Sequence, residues 1–305
     1  MSAADSQTNT GSRFRLSNIR IGALALCMLL ALIAANLVYS ALARRSHALT
    51  GEAGELLHVA GFSGFADEWD LYEGQQSARL IDDQLELSVS ALQTATWSAA
   101  QPQFADFDFS VQAVASEGPL DNAFGLVFHI RGDRQTGCDL PAVLLCGVED
   151  MLPLAGAAIR QTLDIKQATE YFAFLISSDG YYSLWRTDAR GTSILSAWIA
   201  SDAIRQGLGA ENLIRVVAEG RRYRFYVNGA PLALCVPDAP GAASTYAAGE
   251  CVGGSMQDSY LADTTVGRLG LIAQSTASGG GGVVVRFDNM LVFSPGGIDE
   301  REARL

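Results

Sequence analysis

The stretch that most constrains the fold is Glu170–Thr187, where two runs rich in aromatic and aliphatic residues flank Asp179-Gly180. An Asp-Gly pair accepts the positive φ angles of a tight type I′ turn, so the stretch is expected to form a β-hairpin. Side chains in a strand alternate between faces with a period of two. Phe172, Phe174 and Ile176 therefore share one face with Tyr182 and Leu184 of the return strand. Tyr171, Ala173 and Leu175 share the other with Tyr181, Ser183 and Trp185. Neither face is polar. The hairpin is expected at the centre of a sheet that is covered on one side and partly sheltered on the other.

The same rhythm recurs along the chain. Leu85, Leu87 and Val89 alternate with Glu86 and Ser88, and Phe107, Phe109, Val111, Ala113 and Ala115 alternate with Asp108, Ser110, Gln112 and Val114. In Asn122–Arg131 one face carries Phe124, Leu126, Phe128 and Ile130, the other Gly125, Val127, His129 and Arg131. Ser193–Ile199 holds Trp198, and Arg222–Val227 turns at Asn228-Gly229. Ser201–Arg205 suits one helical turn capped by Ser201 or Asp202. Gly132–Ile165, which carries Cys138 and Cys146, and Val236–Thr265, which is rich in Gly, Ala and Ser and carries Cys251, read as loops inserted between strands. About twelve short strands, with no long amphipathic helix in the body, indicate an all-β antiparallel sandwich or jelly roll.

Ahead of this body lies Ile21–Ala43, an apolar run without a charged residue. As a helix it spans about 35 Å, enough for a hydrocarbon core of about 30 Å. Ala41-Leu42-Ala43 offers a small-x-small cleavage site, but the run exceeds the roughly 7–15 residues of a signal-peptide core, which favours a retained membrane anchor. The expected organisation is a polar tail over 1–20, a transmembrane helix over 21–43, a linker over 44–55, the β domain over 56–295 and a tail over 296–305. The first 45 residues hold 5 of the 21 basic and 1 of the 33 acidic residues, leaving 16 basic against 32 acidic in the remainder. A body near −16 repels a nucleic-acid backbone and disfavours that class of partner. Cys138, Cys146, Cys235 and Cys251 form two local pairs without the spacing of a zinc or redox site. Disulfides Cys138–Cys146 and Cys235–Cys251 are expected, with the domain extracytoplasmic at the cell membrane.

Several segments carry a resemblance. Trp69 lies soon after the domain start, and Phe124-Gly-Leu-Val-Phe-His-Ile-Arg131 precedes the hairpin. Asn212–Ala218 leads to Phe225-Tyr-Val-Asn-Gly229, and Gly267-Arg-Leu-Gly-Leu271 leads to Val285-Arg-Phe-Asp-Asn289. In order and spacing, over roughly Gly61–Phe293, they resemble the concanavalin A-like jelly roll of laminin G-type modules and the three-keto-disaccharide hydrolase group. That superfamily holds lectins, glycosidases and adhesion modules, so the resemblance implies a fold and leaves function to the site.

Glu68, Asp70 and Glu73 match the Glu-x-Asp-x-x-Glu spacing of the retaining glucanases of this fold, which use two carboxylates across the glycosidic bond. There the motif lies on a central strand. Here it follows the domain start, and a solvated acidic edge is expected instead of catalysis. Arg131-Gly-Asp133 is a tripeptide read by integrins, placed where a strand should turn. Asp288, with Asn289, offers oxygen ligands for a structural Ca²⁺ of the kind sugar-binding jelly rolls carry, although one carboxylate is too few; no other cofactor is indicated. The hairpin's second face gathers His129, Arg131, Tyr171, Tyr181 and Trp185. Rings flanked by hydrogen-bonding groups suit sugars, so the expectation is a non-catalytic module that binds glycan or another cell-surface polymer. A glycoside hydrolase and a structural module, its second face covered by loops, are the alternatives.

Overall fold

A computed structural model describes residues 26–33, 35, 48–63, 68–131, 170–239, 241–263, 266–276 and 282–296. From the chain start to the long central interval run β1 (Ala48–Leu49), β2 (Leu56–Ala60), β3 (Gln76–Ile81), β4 (Gln84–Val89), β5 (Ala95–Phe104), β6 (Phe107–Glu117) and β7 (Ala123–Arg131). The hairpin is β8 (Glu170–Ile176) and β9 (Tyr181–Asp188), followed by β10 (Gly191–Ala200), β11 (Glu211–Glu219), β12 (Arg222–Val227) and β13 (Ala230–Leu232). Short strands β14 (Leu234–Pro237), β15 (Thr245–Ala247), β16 (Glu250–Val252), β17 (Gly254–Gln257) and β18 (Tyr260–Leu261) come next, then β19 (Gly267–Gln274) and β20 (Val283–Phe293).

These strands build a β-sandwich. One sheet runs β1-β5-β19-β7-β8-β9-β10. The other runs β13-β12-β11-β6-β20-β4-β3, with β18 beside β12 and β2 beside β20. Two-stranded ladders β14-β17 and β15-β16 form the excursion after β13. Between the main sheets lie Phe104, Phe107, Phe109, Phe124, Phe128, Phe174, Phe225 and Phe287, all essentially inaccessible to water. Each buried aromatic side chain contributes on the order of 1.5–3 kcal/mol, so the alternating phenylalanines dominate the drive to stack the sheets. The inward set of the hairpin (Phe174, Ile176, Tyr182, Leu184) is the one its alternation predicts.

Turn chemistry explains the hairpins. Asp82 and Asp83 both have positive φ, as do Asn228 and Gly229, and both pairs close tight turns between antiparallel neighbours. The Asp179-Gly180 turn differs from the type I′ expectation. Only Gly180 is left-handed, Gly180 N–H donates to Ser177 O at 3.1 Å, and Ser177 N–H donates to Tyr181 O at 2.9 Å. That is a three-residue loop ending in a left-handed glycine, a geometry that also matches the strand twist. The Asn122 carboxamide oxygen locks it by accepting from Ser178 N–H at 3.1 Å and Ser178 Oγ at 3.0 Å.

Other expectations change. The folded body begins upstream of Leu56: β1 pairs in parallel with β5, and Gly54 N–H donates to Ser294 O at 3.0 Å, so part of the expected linker belongs to the sandwich. Ser201–Arg205 forms a turn, not a helical turn, although Ser201 Oγ does accept from Ala203 N–H at 3.2 Å. The chain divides into Met1–His47 and Ala48–Leu305. Within the first unit residues 26–33 and 35 are helical, and the rest of Ile21–Ala43 lies outside the described residues. Among the described residues no helix is long and apolar enough to cross a membrane.

Candidate functional site

The outer face of the seven-stranded sheet carries the aromatic residues singled out from the hairpin. Val127 and Leu175 are fully buried at its centre, with Ala173, Ile272 and Trp97 nearly so, and Tyr171, Trp185 and Trp198 pack against them half-buried. Trp97 meets Tyr171 at 6.2 Å between ring centroids, and Trp185 meets Trp198 edge-on at 6.1 Å. The Trp185 indole N–H donates to Ser183 Oγ at 2.8 Å, and that hydroxyl donates to Ser196 O at 2.6 Å. This face is therefore a second packed layer and not an open platform. Tyr181, beside the turn, is exposed and away from the other rings' cluster.

His129 does not join that face. It has a φ of +52°, and the β7–β8 register shifts between Phe128 and Arg131. The bulge reverses the alternation, which sends Ile130 into the outer layer and His129 inward. There His129 lies edge-on to Tyr223 and Phe172, and its Nε2 shares a 3.0 Å hydrogen bond with the Tyr223 hydroxyl. Gly267 makes the bulge possible, because a Cβ at that position would stand 2.6 Å from the His129 carbonyl carbon. Arg131 forms an ion pair with Glu170 across the strand ends. His129, Arg131 and Tyr171 do come together along a cleft of about 440 Å³, with Arg186, Arg221, Tyr260 and Asp263 also on its walls. Trp185 and Tyr181 do not line it.

A larger groove of about 1090 Å³ opens between the rim strand β10 and the excursion that follows β14. Trp198, Tyr246 and Tyr260 supply rings. Arg186, Asp188, Arg190, Ser193, Ser244 and Thr245 supply polar groups. Each wall is fixed by bonding that the sequence specifies. Cys235 N–H donates to Ser196 Oγ at 3.0 Å, which holds β14 against β10. The Cys235–Cys251 disulfide closes the excursion with a Cα–Cα distance of 5.5 Å, as the cysteine spacing predicted, and Tyr246 sits opposite Cys251 across the β15–β16 ladder. Tyr260 is held by β18, where it pairs with Tyr223 of β12. The groove and the cleft share Arg186 and Tyr260 on their walls, so they adjoin there as two arms of a depression.

Its charges are mostly paired. Asp188 accepts from Arg190 Nη2 at 2.9 Å and from Arg190 N–H at 2.8 Å. The Arg190 side-chain bond is the main cause that holds the Asp188 carboxyl below its ordinary range, and the same bond raises the guanidinium. Burial pushes the Tyr260 phenol up, while Arg186 opposes it. Sequence reasoning missed Arg186, Tyr246 and Tyr260 because they come from three separate elements. The available signal was the cysteine pair bracketing the excursion.

The acidic motif is dispersed by its own strand geometry. Trp69 turns inward against Phe62 at 5.1 Å, and its backbone bridges Ala100 at the edge of β5. Asp70 is neutralised by Arg268 at 2.9 Å and accepts a hydrogen bond from Gln101 Nε2 at 3.2 Å, while Glu68 and Glu73 are exposed. The segment forms isolated bridges to Ala100 and Ala78 and no strand, and Asp70 is sheltered where a solvated acidic edge was expected. Asp288 accepts from Asn289 N–H at 2.7 Å, and Asn289 Nδ2 donates to Gln112 at 2.6 Å. Among the described residues no cluster of three His, Cys, Asp or Glu side chains that could hold a metal occurs. Cys138, Cys146, Gly132 and Asp133 lie outside the described residues.

No family model matches the chain, and no curated protein matches it in sequence. Solved structures of similar outline include the carbohydrate-binding module CBM66 of Bacillus subtilis, with 10% identity, 74% of this chain and 96% of that one covered, and a TM-score of 0.42. A Bacillus subtilis protein of unknown function with a galectin-like fold gives 12%, 80%, 97% and 0.49. The β-glucanase of Bacillus licheniformis gives 7%, 80%, 99% and 0.40. With each of these scores below 0.5, the sandwich is assigned from its own strand pairing and no ligand is carried over.

Proposed function

We propose that the β-sandwich is a non-catalytic glycan-binding domain, displayed outside the cell membrane by the N-terminal apolar segment. The observation that carries this reading is the groove beside β10, whose lining combines Trp198, Tyr246 and Tyr260 with hydroxyl, carboxylate and guanidinium groups. Sugars present CH faces that pack on rings and hydroxyls that need polar partners, and this lining offers both. The site proposed from the hairpin moves accordingly. Tyr171, Arg131 and His129 belong to its smaller arm, and Trp185 supports Trp198 from behind. The non-catalytic part rests on the carboxylates of the depression. Asp188, Glu170 and Asp263 each face an arginine, and Asp188, whose carboxyl Arg190 holds below its ordinary range, is a poor proton donor at neutral pH.

The anchor rests on composition: Ile21–Ala43 carries no charged residue. Leu26, Met28, Leu29, Leu30, Leu32 and Ile33 point outward around the helix over 26–33, each about half exposed or more. A helix apolar all round calls for an apolar surround. N-terminal sequencing of the mature protein tests retention, and a new N-terminus at Arg44 would refute it. For the ligand, the full-length protein in detergent is applied to a glycan array. At least one glycan class is expected to bind, with a loss of ten-fold or more in Tyr246→Ala. A fully silent array would sink the reading.

A further inference from the structure

We propose that the glycan this depression takes is an acidic one, built with uronate residues, and that Arg186 is the side chain that engages their carboxylates. The inference rests on the glycan-binding reading and adds the chemical class of the ligand.

Arg186 stands where the groove and the cleft meet and lines both. Its neighbours of like charge are already committed. Arg131 is paired with Glu170, Arg221 with Asp263 at 3.1 Å, and Arg190 with Asp188 at 2.9 Å. The carboxylate nearest Arg186 is the same Asp188, at 3.8 Å, beyond hydrogen-bond reach and already accepting twice from Arg190. Among the described residues no hydrogen bond to the Arg186 guanidinium is found, and 41% of its side chain is exposed.

The group is nevertheless held in place. Its Cζ lies 5.7 Å from the centroid of Phe172, whose ring also meets Tyr260 at 6.4 Å. A cation over the face of an aromatic ring is attracted there while its N–H edge stays free. That edge is a planar fork with the geometry to accept a carboxylate through two parallel hydrogen bonds. Tyr260, on the walls of both arms, supplies a ring beside it for the sugar that bears the carboxylate.

Local charge agrees, against the trend of the molecule. From Ser46 onward acidic residues outnumber basic ones 32 to 16. Around the depression the described residues include four arginines (131, 186, 190 and 221) and three acids (170, 188 and 263). At physiological salt the screening length is about 8 Å, so a ligand seated here responds to the depression and not to the distant acidic surface. A nucleic acid, which gains affinity from many phosphates at once, would find a single arginine without a hydrogen-bonded carboxylate. A glycan bearing one carboxylate per sugar needs no more.

The test is calorimetry on the full-length protein in detergent at 0.15 M NaCl. Hexamers of galacturonate and of mannuronate are compared with their carboxyl-reduced counterparts and with a sulfated galactose hexamer. At least one uronate hexamer is expected to bind ten-fold or more tighter than its reduced partner. Arg186→Gln should erase that preference, and Arg186→Lys, which keeps the charge without the fork, should retain part of it. Raising salt to 0.5 M on the wild type should shrink the preference, a readout independent of any folding defect in the variants. Equal affinity within each pair overturns the acidic ligand while leaving glycan binding standing. Equal or tighter binding of the sulfated hexamer overturns the carboxylate assignment. If no hexamer binds and the glycan array is silent too, both readings fall together.

Discussion

Removing the Cys235–Cys251 bridge isolates what holds the groove's outer wall. The two cysteines are 16 positions apart and join the start of the excursion to its middle ladder. In the chain-entropy treatment, releasing a loop of that length returns about 3 kcal/mol of freedom to the unfolded chain. Cys235 is also wholly buried, so Cys235→Ala/Cys251→Ala forfeits about 1 kcal/mol of sulfur packing in addition. A domain of this size loses about 2–4 °C of Tm per kcal/mol, which places the double variant roughly 8–16 °C below wild type. Differential scanning calorimetry under non-reducing conditions measures it. Tyr246 faces Cys251 across its ladder, so the wall should loosen with the bridge, and protease nicking is expected within 238–250 before the sheets melt. A fall under about 3 °C, with the excursion still protected, would refute the reasoning, because the loop would then be held by its own ladders.

Three further perturbations are informative. Gly267→Ala sets a Cβ against the His129 backbone and is expected to cost about 1–3 kcal/mol in urea melts; Gly61→Ala, which meets nothing within 4 Å, should stay within about 0.5 kcal/mol. Burial pushes the phenols of Tyr182 and Tyr223 up to about 12 from an ordinary value of 10, so the fold favours their protonated forms. That stabilisation is fully present below pH 10 and is lost as the pH rises toward 12; a Tm unchanged between pH 8 and pH 11 would contradict it. Trp185→Ala, which removes a half-buried ring and its bond to Ser183, should lower stability by about 2–3 kcal/mol, less than the roughly 3–5 kcal/mol of a fully buried tryptophan. A variant as stable as wild type would show that the outer layer carries no packing energy.

The sandwich was legible because its strands obey the two-residue period over long runs. From Phe107 to Ala115 every apolar residue at alternate positions turns inward, and the Asn228-Gly229 and Asp82-Asp83 pairs mark their turns. The bulge at His129 was hidden by the residue after it. Ile130 is apolar, and it is buried just as well in the outer layer as between the sheets, so the pattern of hydrophobicity runs through the fault without a break. His129 looked outward only by parity. The candidate depression was less visible still. Arg186 comes from the hairpin, Trp198 from the rim strand, and Tyr246 and Tyr260 from an excursion with no alternation, so only tertiary packing unites them. The disulfide could be inferred because its loop is short enough for spacing to suggest the pairing.

The rim position of β10 bears on how the protein behaves in crowded surroundings. A terminal strand of this length is a template on which another molecule can extend the sheet, and repeated extension ends in fibrils. Here the template is spoiled twice. The strand slips register against β9 between Ile194 and Ser196 and again between Ser196 and Ile199, so its free edge never offers an evenly spaced row of donors and acceptors. The Ser196 hydroxyl, meanwhile, is occupied by Cys235 of the neighbouring excursion. The flap that forms a wall of the groove thus lies against the same rim strand, and a chain trimmed of it is expected to cloud on concentration well before its sandwich unfolds.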